Sequence, residues 1–170
     1  GRVISQEEDW VVVVPRECQL IHGMSVVLEI REEGYQFPAD DRPELPVPFT
    51  MLRDMPEPES KDAVNKVGVL ITMANEQPHT TVLAFLSSVD DDIFLITFPQ
   101  MFKSRLLKRN PHCFFAMDER AHYTFERAIE WNYTIVEGEA SLVPSDSPLY
   151  ETIREAFIRK NPWEMGFFLQ

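Results

Sequence analysis

Six of the chain's 13 prolines lie between Pro38 and Pro58, and this concentration constrains the fold more than any other feature of the sequence. Proline has no amide hydrogen to donate, and its ring disfavours a helical conformation in the residue before it. Neither a helix nor a central β-strand therefore suits this stretch. We predict an extended arm in this stretch. Residues 1–60 would contain N-terminal strands and the arm, and residues 61–170 would form a second domain.

The overall charge is acidic, with a formal net charge of −12. Proteins that bind nucleic acids or anionic membranes present a broad positive surface, so we expect neither partner. No apolar run approaches the roughly 20 residues of a membrane-spanning helix, and the first residues lack the pattern of a secretion signal. Cys18 and Cys113 lie far apart without metal-ligand spacing, so we expect free thiols, no metal site and a cytoplasmic location.

Short β-branched or apolar runs between turn residues predict a mainly β fold. The runs are 9–15, 25–30, 66–74, 79–87, 93–98, 112–118 and 131–143. Short connections at 75–78 and 88–92 make residues 67–98 an antiparallel meander, and closure into a small barrel would remove its exposed edges. Gly138 inside the last run predicts a bulge or the close approach of another backbone.

Three helices are predicted between and after these strands. Ser60 can cap a short helix over 61–66, and apolar residues at helical spacing predict another over 100–109. The best-marked helix is capped by Ser147, has Pro148 in its first turn and stops at 161–162. The segment 119–130 fits either a helix or a wide loop.

The most basic stretch of this acidic chain is "TFPQMFKSRLLKRNP", residues 97–111. A strand ending at Thr97 and a helix beginning near residue 100 would bring together a hydroxyl, unpaired amide N–H groups and the cationic side chains of Lys103 and Arg105. This set of donors suits a phosphate group. The same spacing also fits the solvated face of an amphipathic helix, so the residues alone leave both interpretations open.

The order of these elements resembles the FMN-binding split-barrel family that includes pyridoxamine 5'-phosphate oxidase. The resemblance rests on "VGVLIT", the proline-led "PHTTVLAF", a third strand ending in Thr97, "KSRLLKRNP", "CFFAM", "YTIVEGEASLV" and a helix ending in "NPW". It implies an antiparallel split β-barrel with short peripheral helices. It also implies a homodimer that holds FMN at its interface.

The resemblance further implies the residues that would contact FMN. Thr97 and Lys103 correspond to positions at the phosphate, with Arg105 as a weaker candidate. The second strand would line the flavin through His79, Thr80, Thr81 and Val82. The start of the long strand would supply polar contacts from the partner subunit, and Asn132 is the candidate there.

Several departures from the family argue against vitamin B6 oxidation. Phe102 stands at the first position of an Arg-Lys pair, Thr81 at an arginine position and Leu86 at a lysine position. The signature that binds pyridoxal phosphate is missing, and so is the family's final strand, whose place the N-terminal strands could take. The resemblance thus implies a flavin-dependent oxidoreductase that uses a small-molecule substrate or electron donor. The alternative is a flavin or haem carrier or redox-sensing dimer without turnover; haem would need an axial ligand from His79, His112 or His122.

Overall fold

The computed structural model describes residues 1–22, 25–60, 67–118 and 133–169. By its internal contacts the chain divides into two units, Gly1–Ala39 and Asp40–Gln170. Most of the proline-rich arm therefore packs with the second unit. The predicted helix at 61–66, the segment 119–130 and Asn132 lie outside the described residues.

The first unit consists of two antiparallel hairpins. Strand β1 (Arg2–Gln6) pairs with β2 (Val11–Val14), and β3 (Glu17–His22) pairs with β4 (Ser25–Arg31). The strands predicted at 9–15 and 25–30 are confirmed as β2 and β4. Their partners β1 and β3 mix polar and apolar residues and so lack a strand pattern of their own.

A four-stranded antiparallel sheet forms the centre of the second unit, in the order β10-β9-β5-β6. Its strands are β5 (Val67–Ala74), β6 (Gln77–Ala84), β9 (His112–Asp118) and β10 (Tyr133–Glu139). The register places Leu70 opposite both Thr81 and Phe115. Because side chains alternate along a strand, one face of this sheet is buried and the other faces outward.

The meander continues from β6 past Phe85 into β7 (Leu86–Ser87), which pairs with β8 (Ile93–Phe94). The strand predicted over 93–98 is therefore wrong in length, because only its first two residues pair. The chain leaves the ladder to form hydrogen bonds between residues 97–98 and the following helix. Within the described residues the strands do not close into a barrel, since β8 pairs only with β7.

Two α-helices and a 3₁₀ helix complete the second unit. Helix α1 (Phe102–Arg109) follows β8, α2 (Pro148–Lys160) follows β10, and the 3₁₀ helix covers Pro162–Leu169. The Oγ of Ser147 accepts the backbone N–H of Tyr150 over 3.2 Å, which confirms the predicted cap. No helix of the described residues is long and apolar enough to cross a membrane.

The core of the second unit has two parts. Helix α2 buries one apolar stripe against the β7–β8 hairpin, where the buried residues are Leu86, Phe94, Leu149, Ile153 and Phe157. The inner face of the sheet carries the second cluster: Leu70, Phe85, Phe115 and Met117. Leu106 of α1 is fully buried, so this short helix is held against the sheet by its apolar side.

The two glycines of the sheet have opposite surroundings. A Cβ on Gly68 would lie 2.5 Å from the ring of Phe115 and 2.9 Å from the carbonyl oxygen of Ala116. Among the residues that the structure describes, a Cβ on Gly138 would have no atom within 4 Å, and its strand keeps a regular register with β9. The predicted bulge or close approach at Gly138 is therefore wrong, and Gly68 is the position where two elements approach closely.

The Gly68→Ala variant tests this packing. The added methyl group has to displace a buried aromatic ring and a backbone carbonyl, so we expect the free energy of unfolding to fall by about 1–3 kcal/mol. Gly138→Ala is the matched control and should leave stability unchanged or raise it by up to about 1 kcal/mol. Urea unfolding followed by circular dichroism measures both, and equal stability of the two variants would contradict the close approach at Gly68.

Candidate functional site

The corner between β8 and α1 is held by two hydroxyl groups. The Oγ of Ser104 donates to the carbonyl oxygen of Phe98 over 2.8 Å and lies 2.8 Å from Oγ1 of Thr97. Each hydroxyl has a single proton, so Thr97 donates to Ser104 and its own oxygen is left as an acceptor. Thr97 therefore fixes the corner, and it could donate to a phosphate only if this pair were broken.

Lys103 lies in the first turn of α1, beside this corner, and is half-buried. Burial lowers the pKa of its ammonium group because the charged form loses hydration. Within the described residues its side chain has neither an ion pair nor a hydrogen bond. The first turn of α1 also has no acidic residue and no side-chain cap there. An anion would therefore meet an unneutralised cation and the positive end of the helix.

Strand β6, which is the second strand of the predicted meander, reaches the same corner through His79. The ring of His79 meets the ring of Phe102, the neighbour of Lys103, edge-on with 4.9 Å between centroids. Nδ1 of His79 lies 3.5 Å from Oγ1 of Thr81. Because β6 alternates, Thr80 and Val82 are on the opposite face and are exposed. Of the four predicted residues of β6, His79 and Thr81 therefore lie on the face that contacts Phe102, and Thr80 and Val82 do not.

Arg105 is directed to the proline-rich arm instead. Its Nε lies 3.1 Å from Oε1 of Glu44, and Nη2 of Arg109 lies 3.0 Å from the same oxygen. Nζ of Lys108 lies 4.0 Å from the other carboxylate oxygen. The hydrogen bond from Arg105 and the three positive charges lower the pKa of Glu44. We call these four residues the Glu44 clamp; it uses most of the positive charge of the 97–111 stretch.

A second anchor lies at the start of the arm. Arg42 donates to both carboxylate oxygens of Asp40, from Nε over 2.8 Å and from Nη2 over 2.6 Å. The same Nη2 also donates to the backbone carbonyl of Met73 in β5, over 2.7 Å. The Asp40 side chain is only 1% exposed. Its hydrogen bonds from Arg42 lower its pKa to about 2.

Sequence reasoning missed both anchors. The available signal was the pairing of an acidic "PADDRPE" segment with a basic helix in the same chain. This signal predicts that the arm and the helix attract each other, but it does not predict which side chains pair. Glu44 and Arg105 lie 61 residues apart in the chain, so the partner of each charge depends on the fold. Arg105 stays a predicted phosphate ligand, although its guanidinium here bonds a carboxylate.

A cavity of about 630 Å³ lies between the arm, the inner face of the sheet and α1. Its lining is mainly apolar and includes Leu70, Leu83 and Phe115, together with Phe49 from the arm. Of the described residues predicted to bind FMN, only Thr97 lines it. We call the corner with Thr97, Ser104 and Lys103 the Lys103 corner; it adjoins the cavity through Thr97 and Ser104, but Lys103 does not line the cavity.

The outward face of the sheet is apolar and exposed. Val67, Val82, Tyr133 and Ile135 are all exposed on it, and we call these four residues the outer sheet face. The register places Ile135 opposite Ala116, which in turn pairs with Val69, so the apolar surface continues across three strands. Contiguous apolar surface of this kind is typical of a protein–protein contact.

No protein-family model, curated protein or solved structure matches this chain. The resemblance to the FMN-binding split-barrel family therefore stays a prediction that rests on the order of the motifs.

The Asp40→Asn variant tests the anchor of the arm. The folded-state pKa is lowered, so the carboxylate stabilises the fold above its ordinary pKa of 3.8, and this contribution is lost as the pH falls towards 2. Allowing for solvent screening, we expect wild type to lose on the order of 1–2 kcal/mol of unfolding free energy in this window that the variant does not lose.

Urea unfolding at stepwise pH measures the difference. Asp54→Asn, an exposed residue of the same arm, is the control and should follow wild type. A parallel pH dependence of wild type and Asp40→Asn would show that the anchor does not stabilise the fold.

Proposed function

We propose that this chain is an FMN-binding flavoprotein of the split-barrel type. It acts as a homodimer and transfers electrons between a small reduced donor and a small acceptor, but it is not a vitamin B6 oxidase. The observation that carries the proposal is the half-buried ammonium of Lys103 at the start of α1, which has no counter-charge within the described residues.

The FMN phosphate fits the Lys103 corner for electrostatic reasons. A dianionic phosphate would restore the interaction energy that the lysine loses when it is removed from water. The N-terminal amides of α1 add donors, and no acidic residue in its first turn opposes an anion. Thr97 would contribute indirectly, by holding the corner through Ser104.

The surroundings of the corner suit the flavin ring system. His79 and Phe102 supply aromatic surface, and Thr81 adds a hydroxyl next to His79. Among the described residues strand β6 lies at one end of the four-stranded sheet, so a flavin could approach it from that side. Such a mixture of apolar surface and a few polar groups is typical of cofactor sites.

When bound, FMN would supply hydride or single-electron chemistry at its N5 atom. The chain would contribute binding and orientation: Lys103 anchors the phosphate, and β6 with Phe102 positions the ring. Hydride transfer needs no side chain as general acid or base, and we assign none. The alternative of a haem carrier has less support, because Nε2 of His112 lies 2.9 Å from Glu137 and the His79 ring packs on Phe102.

The outer sheet face supports the homodimer. Its exposed valine, isoleucine and tyrosine side chains need a partner surface. A second copy of the chain would cover this face and would reach the flavin only around the edge formed by β6, because His79 and Thr81 lie on the opposite face of the sheet.

Lys103→Ala tests the phosphate contact. Loss of a hydrogen bond to a charged group typically costs about 1.5–3 kcal/mol, so the FMN dissociation constant should rise about 10- to 100-fold. Riboflavin lacks the phosphate, and its affinity should stay unchanged. Quenching of flavin fluorescence measures both constants.

Arg159→Ala is the matched control, since it removes the same charge from an exposed position on α2 and should not affect FMN. If Lys103→Ala weakened the binding of FMN and of riboflavin equally, Lys103 would contact the flavin ring and not the phosphate. No change in either constant would remove the support for the proposed site.

Val82→Glu tests the dimer. A carboxylate in the centre of an apolar interface is costly to bury, so we expect the dimer to dissociate at micromolar concentration and FMN to bind more weakly. Analytical ultracentrifugation gives the oligomeric state. Val89→Glu introduces the same change at an exposed residue of the β7–β8 turn and should leave the dimer intact. A wild-type monomer that binds FMN tightly would contradict the proposed interface.

A further inference from the structure

The cavity beneath the arm is a second site that the proposed flavin site does not use. Its floor is the inner face of the sheet, with Leu70, Leu83 and Phe115, and helix α1 adds Leu107 to one wall. The arm contributes Phe49 to the lining, and this residue is 67% exposed. At about 630 Å³ it has the size of a small-molecule site, which typically measures about 300–1,000 Å³.

Backbone hydrogen bonds attach the arm on two sides of the cavity. On the α1 side, the backbone N–H of Leu45 donates to the carbonyl of Lys108 over 2.8 Å, next to the Glu44 clamp. On the β10 side, Leu142 donates to Pro48 and accepts from Thr50, each over 2.8 Å. The arm is therefore fixed beside the cavity, and the space is large enough for a small molecule.

The charges and hydrogen-bonding groups of the lining define the occupant. The acidic residues of the lining whose side chains are not turned to the outer sheet face are Asp91 and Asp92, against Lys108 alone; Glu137 and Glu139 share the outward face of β10 with Ile135. Lys108 is already within 4.0 Å of Glu44. Anions such as FMN are therefore disfavoured. Thr97 lines the cavity, and its hydroxyl donates to Ser104, so the hydroxyl oxygen remains an acceptor for a ligand donor.

We propose that this cavity binds an apolar small molecule that is neutral or cationic and carries an N–H or O–H donor. The arm closes over the bound molecule, and the Glu44 clamp holds the arm in place. The site is independent of Lys103.

Two fluorescent probes test the charge preference on the full chain. N-phenyl-1-naphthylamine is neutral, has one N–H donor and gains fluorescence in apolar surroundings. 1-Anilinonaphthalene-8-sulfonate has the same ring system with an added sulfonate. We expect saturable binding of one neutral probe per chain and at least tenfold weaker binding of the sulfonate. Lys103→Ala should leave the neutral probe unaffected, which separates this site from the flavin site.

Cys113 lines the cavity and allows the site to be located. In a Cys18→Ser background, benzyl methanethiosulfonate would place a benzylthio group in the cavity and methyl methanethiosulfonate only a methylthio group. Labelling needs alkaline pH, because burial raises the pKa of this thiol. The large label should abolish binding of the neutral probe, the small one should weaken it less, and dithiothreitol should restore it.

A second variant does not depend on labelling. Glu44→Gln weakens the clamp at the surface, so the neutral probe should dissociate severalfold faster in stopped-flow measurements, while Asp54→Asn should match wild type. The proposal is overturned if no saturable binding occurs. It is also overturned if the sulfonate binds as tightly as the neutral probe, if binding survives the large label, or if Glu44→Gln leaves the dissociation rate unchanged.

Discussion

The contact between the Glu44 carboxylate and three basic side chains of α1 organises the functional part of this protein. Proline-rich chain has few backbone donors and forms little regular structure, so it needs side-chain anchors to stay on the domain surface. Glu44 provides one anchor at Arg105, Lys108 and Arg109, and the Asp40–Arg42 pair provides another at β5. With the arm so attached, the arm and the inner face of the sheet line one cavity.

The same contact divides the positive charge of α1 into two groups. Arg105, Lys108 and Arg109 all contact the Glu44 carboxylate of the arm, while Lys103 at the start of the helix has no carboxylate partner within the described residues. The ammonium group of Lys103 is partly buried and loses hydration, so its charged form is less stable unless an anion lies nearby. A fully hydrated lysine would not depend on a counter-ion in this way. The difference between the two groups is the basis of the two proposed sites, one for the phosphate of FMN at the start of α1 and one for a neutral or cationic apolar molecule beside the arm.

Much of the second unit was predictable because its signals are local. Helix α2 has a serine cap, a proline in its first turn and a buried stripe at Leu149, Ile153 and Phe157, and strand β9 matched its predicted limits, 112–118. The predicted length of the third meander strand, 93–98, was too great, because the apolar run continues beyond the two residues of β8 that pair. There the Thr97 and Ser104 hydroxyls compete with strand pairing, and such competition depends on a helix that pattern analysis treats separately.

The sequence alone determined the mainly β character, the extended arm, both α-helices and the position of the basic stretch, since proline chemistry, caps and apolar periodicity act over a few neighbouring residues. Tertiary structure alone decided which cation meets which carboxylate. It grouped His79 with Phe102, turned Thr80 and Val82 to the opposite face, and left Gly68 rather than Gly138 against another chain segment. These outcomes depend on strand register and on contacts between residues far apart in the chain, and a shift of one residue in register would reverse every face.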